Sequence, residues 1–145
     1  MSYKLPLSVL VIVHTASRDV LLLERALPPG YWQSVTGSVD TMEEPLERAA
    51  AREVYEETGI DAGAGRLERW NAVYTFEIYQ QWRHRFAPGV LHNVEHVFAM
   101  RLPGRVPVRV ARGEHLGFVW LPWREAAAKC FSWSNRDAIV MLGEW

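Results

Sequence analysis

Three glutamates recur within one short stretch, Arg52-Glu53-Val54-Tyr55-Glu56-Glu57-Thr58-Gly59-Ile60. On an α-helix, at about 100° per residue, Glu53, Glu56 and Glu57 fall within roughly a third of the circumference. Like charges at that spacing repel, and a cation relieves the repulsion. Clustered carboxylate oxygens are the ligands that Mg2+ or Mn2+ prefers. The pattern therefore predicts metal-assisted chemistry on a phosphate-rich substrate. A pyrophosphate carries several negative charges that repel a nucleophile. Metal ions neutralise them, polarise the P–O bond and lower the pKa of bound water. A carboxylate then removes the water proton, and charge developing on the leaving phosphate is stabilised. The bland alternative is a solvated helix face, which does not readily explain Gly37, Arg52 and Gly59 at their spacings.

The elements that must position these groups follow from the local pattern. Leu7–His14 and Val20–Arg25, rich in Val, Ile and Leu, read as a strand pair about a turn at Ser17-Arg18-Asp19. Pro28-Pro29-Gly30 breaks the chain, and Tyr31–Gly37 follows as a short strand and loop. The main helix starts near Glu44-Pro45, either with Pro in its first turn or with a Thr41/Glu44 capping box. Leu46, Ala49, Ala50, Val54 and Tyr55 are expected to form its buried stripe, and Gly59 a left-handed cap. Trp70–Tyr79, His92–Leu102 and Leu116–Leu121 read as strands. Pro122 opens a short helix through Ala128. A last helix is expected from Ser134, with Asp137 completing a capping box, to about Leu142. Strands flanked by helices predict an α/β fold, a mixed sheet sandwiched between helices.

The 145 residues suit one domain, 1–145, with a proper core. A net charge of −1 argues against a general nucleic-acid footprint and leaves room for a local basic pocket. Cys130 is the single cysteine, which excludes an internal disulfide and a cysteine zinc cage and fits a reducing cytoplasm. The apolar run Leu7–Val13 is too short to span a membrane, and no signal-peptide pattern precedes it. With 7 tryptophans, some rings serve packing or line a pocket for a flat ligand.

Taken together, Gly37, Arg52, Glu53, Val54, Glu56, Glu57, Gly59 and Ile60 resemble the Nudix box, Gly-x5-Glu-x7-Arg-Glu-U-x-Glu-Glu-x-Gly-U, where U is a bulky aliphatic residue. The chain has one residue too many between Gly37 and Arg52. Counting back from Arg52 selects Glu44 as the box's first Glu; counting on from Gly37 selects Glu43. Glu44 is preferred, because helix register is harder to change than loop length. The resemblance implies a Nudix fold, an α/β/α sandwich, and cleavage of a nucleoside diphosphate linked to another group. It implies Glu53 and Glu57 as the main Mg2+ ligands, with Mn2+ as a substitute, and Glu56 as ligand or base. It also implies that Arg52 holds a glutamate in place and that Gly37 lets the backbone turn tightly beside the metal. Glu57, Glu56 and Arg52 are thus the expected catalytic set.

Beyond the box, Trp32–Ser38, Arg83–Val90 and Ser132–Arg136 look like the dihydroneopterin triphosphate diphosphatases, a Nudix subgroup of bacterial folate biosynthesis, with the resemblance running from about Lys4 to Ile139. It implies hydrolysis of 7,8-dihydroneopterin 3′-triphosphate to the monophosphate and pyrophosphate. Carried over by position, Lys4, Arg25, Thr36 and Ser132 contact substrate, alongside Gly37. Phe76, Glu77, Ile78 and Tyr79 line the pterin side, where Glu77 could read the ring edge and Phe76, Tyr79 or Trp133 could stack. By period 2, Phe76 and Tyr79 fall on opposite faces of a strand. Arg83 and Arg85 suit phosphate oxygens and could clamp the triphosphate tail. Glu114 is either a fourth metal ligand or a surface glutamate. No histidine is given a catalytic role. The expected partner is a small triphosphate, with no stable nucleic-acid partner and no membrane, in a monomer or homodimer. The competing readings are a Nudix pyrophosphohydrolase of (deoxy)nucleoside triphosphates such as dATP, and a non-catalytic nucleotide sensor.

Overall fold

The structure is a computed structural model that describes residues 2–144. Its strands are β1 (Leu7–Thr15), β2 (Asp19–Arg25), β3 (Trp32–Gln33), β4 (Val35–Ser38), β5 (Arg66–Glu77), β6 (His92–Leu102) and β7 (His115–Pro122). Its helices are α1 (Leu46–Thr58), α2 (Trp123–Lys129) and α3 (Trp133–Leu142). The sheet runs β3-β2-β1-β6-β5, with β4 also on β1 and β7 also on β2. β1 and β6 are parallel from Leu7↔Val94 to Thr15↔Leu102, and the other pairs are antiparallel. β2 pairs β1 at His14↔Val20, and β4 takes the Ser8–Val11 end.

Strand β1 shows why the sheet is covered on both sides. Val9, Val11 and Val13 pack with Ala49, Ala50 and Val54 of α1, whereas Leu10 and Ile12 pack with Ala126 and Ala127 of α2 and Ala138, Ile139 and Leu142 of α3. Alternation to opposite faces, apolar on both, is what a central strand of a three-layer fold requires. The expected α/β/α sandwich is what forms.

Four local expectations are corrected. Tyr55 is 53% exposed; it lies about 100° to 180° around the helix from Val54, Ala50 and Leu46, and the buried face instead continues to Glu57. Thr41 and Glu44 form no capping box, because α1 follows Pro45 without a side-chain cap and the Glu44 carboxylate is committed to Arg52. The cap of α3 is Ser132, whose hydroxyl accepts from the Asn135 N–H, so the helix starts earlier than Ser134. β5 begins at Arg66 and ends at Glu77, which leaves Ile78 and Tyr79 beyond the strand, leading into a 3-10 turn at Gln80–Arg85. Gly59 does cap α1 in the left-handed region, at φ 74°, donating to the Tyr55 carbonyl.

Candidate active site

A cleft of about 920 Å³ opens where β1, β4 and β6 meet the edge of α1 and the start of α3. Helix geometry supplies its acidic wall. Glu57 lies two turns beyond Ala50, on the face turned to the sheet, and is 4% exposed. Glu53, one turn back, keeps 12% of its side chain exposed, against 54% for Glu56. Gly37 in β4 faces Glu53 so closely that an added Cβ would overlap its carboxylate. Its φ is not positive, so Gly37 is needed for space and not for a tight turn, a correction to the sequence reading.

Arg52 fixes this wall. Its Nε and Nη2 each lie 3.0 Å from an oxygen of Glu44, its Nη1 lies 2.8 Å from Glu53, and Nη2 also donates to the Ser38 carbonyl at 3.2 Å. The fork thereby ties the loop before α1 to the helix. The hydrogen bond from Arg52 holds the Glu44 carboxyl below its usual range. Of Glu43 and Glu44, it is Glu44 that the Arg52 guanidinium holds, in line with the register counted back from Arg52. Arg52 is accordingly a positioning residue. Glu44→Gln should lower turnover by about 10- to 100-fold through loss of this support, whereas Glu43→Gln, at an exposed site, should leave it unchanged. Steady-state kinetics of the two variants checks this, and the reverse order would refute the register.

Electrostatics in the wall are unusual. Burial pushes the Glu53 and Glu57 carboxyls upward, and at Glu57 the neighbouring Glu53 and Glu114 charges add to the rise. Two close buried carboxylates repel one another unless a cation lies between them. Glu57 Oε1 is buried without a hydrogen-bond partner, 3.7 Å from Nε2 of His115, whose own pKa burial lowers. A close carboxylate pair with a spare buried acceptor fits a hard divalent cation. Among the described residues no three or more Asp, Glu, His or Cys side chains converge on a common point.

The opposing wall is basic. Lys4, Arg25 and Arg85 all line the cleft. Lys4 is held by a bond from its N–H to the Arg85 carbonyl at 2.8 Å. Burial, then the charge of Arg85, lowers the pKa of both Lys4 and Arg25. Cations that crowd one another in a cleft form an anion site. The Arg25 guanidinium also stacks 4.4 Å over Trp82, within a ring cluster of Tyr31, Tyr79, Trp82 and Phe131.

Thr36, Gly37, Phe76, Glu77, Ile78, Tyr79, Glu114 and Ser132 also line the cleft, and both Phe76 and Tyr79 reach it because the chain leaves the strand between them. Arg83 does not line it: its side chain pairs with Glu77 and donates to the Ile78 carbonyl, so it braces the rim and leaves the clamp to Arg85. Trp82, Phe131, Asn93 and Glu95 are lining residues the sequence reading missed. For Glu95 a signal existed, because it lies in phase with Val97 and Ala99, where a charge does not belong in a strand covered on both faces.

The NUDIX domain profile matches residues 4–141. The chain is 44% identical over 140 residues to the dihydroneopterin triphosphate diphosphatase of Escherichia coli (strain K12), covering 94% of this chain and 91% of that protein. It is 35% identical to the protein of the same name from Haemophilus influenzae, covering 96% and 88%. A solved structure of the E. coli dihydroneopterin triphosphate pyrophosphohydrolase superposes with a TM-score of 0.90 at 42% identity, covering 97% of each chain.

Proposed function

The chain belongs to the Nudix family, and on that premise we propose that it hydrolyses 7,8-dihydroneopterin 3′-triphosphate to the monophosphate and pyrophosphate, with Mg2+ as the cation. The observation that carries the chemistry is the Glu53–Glu57 pair, braced by Arg52 and facing Lys4, Arg25 and Arg85 across one cleft. The substrate assignment is supported by similarity to the E. coli and H. influenzae enzymes along nearly the whole chain.

Glu53 and Glu57 would hold the cation, with Glu56 and Glu114 as the further carboxylates available to it. When bound, it supplies positive charge that offsets the repulsion between triphosphate and nucleophile. Lys4, Arg25 and Arg85 bind the phosphate tail and offset charge on the departing pyrophosphate. Thr36, Gly37 and Ser132 shape the wall beside it. Glu56, exposed on the same helix edge, takes the proton of the attacking water. The water oxygen bonds to phosphorus, the P–O bond to the terminal diphosphate breaks, and that bridging oxygen leaves with pyrophosphate. Phe76, Ile78, Tyr79 and the ring cluster around Trp82 offer apolar surface to the pterin. Among the described residues no helix is long and apolar enough to cross a membrane, and a cytoplasmic, small-molecule role is the setting proposed.

Pyrophosphate release with Mg2+, measured from dihydroneopterin triphosphate, dATP and GTP at equal concentration, tests the assignment. A preference for the pterin of about tenfold or more is expected. Equal or better turnover of a nucleotide would keep the phosphate chemistry and discard the pterin.

A further inference from the structure

Glu95 is a buried carboxylate on the wall of the cleft that the phosphate chemistry does not use. It is 5% exposed and stands opposite Ser8 in the parallel β1–β6 ladder. Two neutral hydroxyls face it: Thr36 Oγ1 lies 3.5 Å from Oε2, and Ser134 also hydrogen-bonds to the carboxylate. Oε1 has no hydrogen-bond partner. Burial pushes its pKa up to about 7, and the two hydroxyls pull it partly back. Two residues away on the same face of β6, Asn93 is 5% exposed; its amide nitrogen donates to Ser8 Oγ at 2.7 Å, and its Oδ1 is also unpartnered. Asn135, by contrast, is fully engaged with Ser34.

The cleft therefore presents two adjacent buried residues with spare acceptors. A buried acceptor without a donor costs stability, so a ligand that brings donors gains what the free protein lacks. A phosphate brings none. Lys4, Arg25 and Arg85 already serve the phosphates, so the donors belong to the other end of the substrate. Glu77 also lines the cleft, but it is exposed and paired with Arg83, so it offers no buried acceptor of this kind.

We propose that Glu95, seconded by Asn93, reads the heterocycle of the substrate by accepting the ring N–H and exocyclic NH2 of a 2-aminopyrimidin-4-one edge. Dihydropterins and guanine carry that edge; hypoxanthine has the N–H without the NH2, and adenine has neither arrangement. The inference rests on the phosphohydrolase reading of the same cleft and adds what selects among its substrates.

Glu95→Gln is the test. The glutamine amide keeps the volume but replaces one acceptor with a donor, which opposes the guanine-like edge and matches an adenine edge. Steady-state kinetics of wild type and variant are compared on dihydroneopterin triphosphate, GTP, ITP and dATP, with binding of 7,8-dihydroneopterin measured without metal. Wild type should prefer GTP to ITP by about tenfold or more. In the variant, kcat/KM for the pterin and GTP should fall about 10- to 100-fold, mostly through KM. The GTP/ITP ratio should approach one, the dATP/GTP ratio should rise, and dihydroneopterin binding should weaken in parallel. Glu95→Asp, which keeps the charge but withdraws the oxygens, should fall between the two. Unchanged ratios and unchanged dihydroneopterin binding in a folded Glu95→Gln protein would overturn the inference. So would a wild-type GTP/ITP ratio near one, a result that needs no variant. If wild type favours GTP over the pterin, the substrate proposal fails, while the GTP/ITP ratio still decides the role of Glu95.

Discussion

Glu57→Gln is expected to reduce pyrophosphate release by on the order of a thousandfold or more while leaving the fold in place. The substitution keeps shape and volume but removes the charge from the most buried carboxylate of the acidic wall, 4% exposed. Nothing in the packing of α1 depends on that charge. Ala49, Ala50 and Val54 carry the helix onto the sheet, and burial already penalises the ionised form of Glu57. A neutral amide relieves that penalty, so the melting temperature of the metal-free protein should stay level or rise. Added Mg2+ should raise the melting temperature of wild type and not that of the variant, since only a binder of the native state stabilises it. Pyrophosphate release and paired melting curves measure both effects. Turnover at the wild-type level would remove Glu57 from the cation site. Loss of turnover with a collapsed melting temperature would reduce the finding to a folding defect.

The chemistry of α1 was legible in the sequence because helix periodicity turns spacing into direction. Glu53, Glu56 and Glu57 had to share an edge, and the family resemblance implied that Arg52 holds a glutamate. Counting back from Arg52 selected Glu44, and the guanidinium does hold Glu44. What the spacing did not reveal was that the Glu57 side of this edge faces inward while Glu56 stays exposed. The expected stripe ended at Tyr55, whereas the buried line continues to Glu57, and the desolvation that raises the carboxyl pKa follows from that one rotation. The sequence placed a strand at His92–Leu102, where β6 lies, but assigned no role to Asn93 or Glu95. Their meaning depends on Ser8 in β1 and Ser134 at the start of α3, 85 and 39 residues distant in the chain from Asn93 and Glu95 respectively, and no local pattern encodes that meeting. Loop residues were harder still. Arg83 and Arg85 are indistinguishable by composition, and the 3-10 turn alone sends one to Glu77 and the other to the cleft.

The same contrast between structure and chemistry separates two glycines. A methyl at Gly37 would overlap the Glu53 carboxylate, which is the far end of a flexible side chain. A rotation of Glu53 relieves the overlap, so Gly37→Ala should cost stability no more than about 1 kcal/mol. Moving the carboxylate, however, breaks its 2.8 Å contact with Arg52 and displaces it from Glu57. A misplacement of about an ångström is enough to lose roughly a hundredfold in rate, and Gly37→Ala should show at least that. Gly65 presents the opposite case. Its φ is −154°, open to any residue, but a Cβ there would press on the Arg101 carbonyl oxygen of β6 as well as on Leu102. Backbone in a paired strand cannot rotate away, so Gly65→Ala should destabilise the protein by about 1–3 kcal/mol and leave kcat per folded molecule unchanged. Urea melts and turnover normalised to active protein distinguish the two. If Gly37→Ala lost stability and kept its rate, Glu53 would be a packing residue and the acidic wall would reduce to Glu57 with its neighbours.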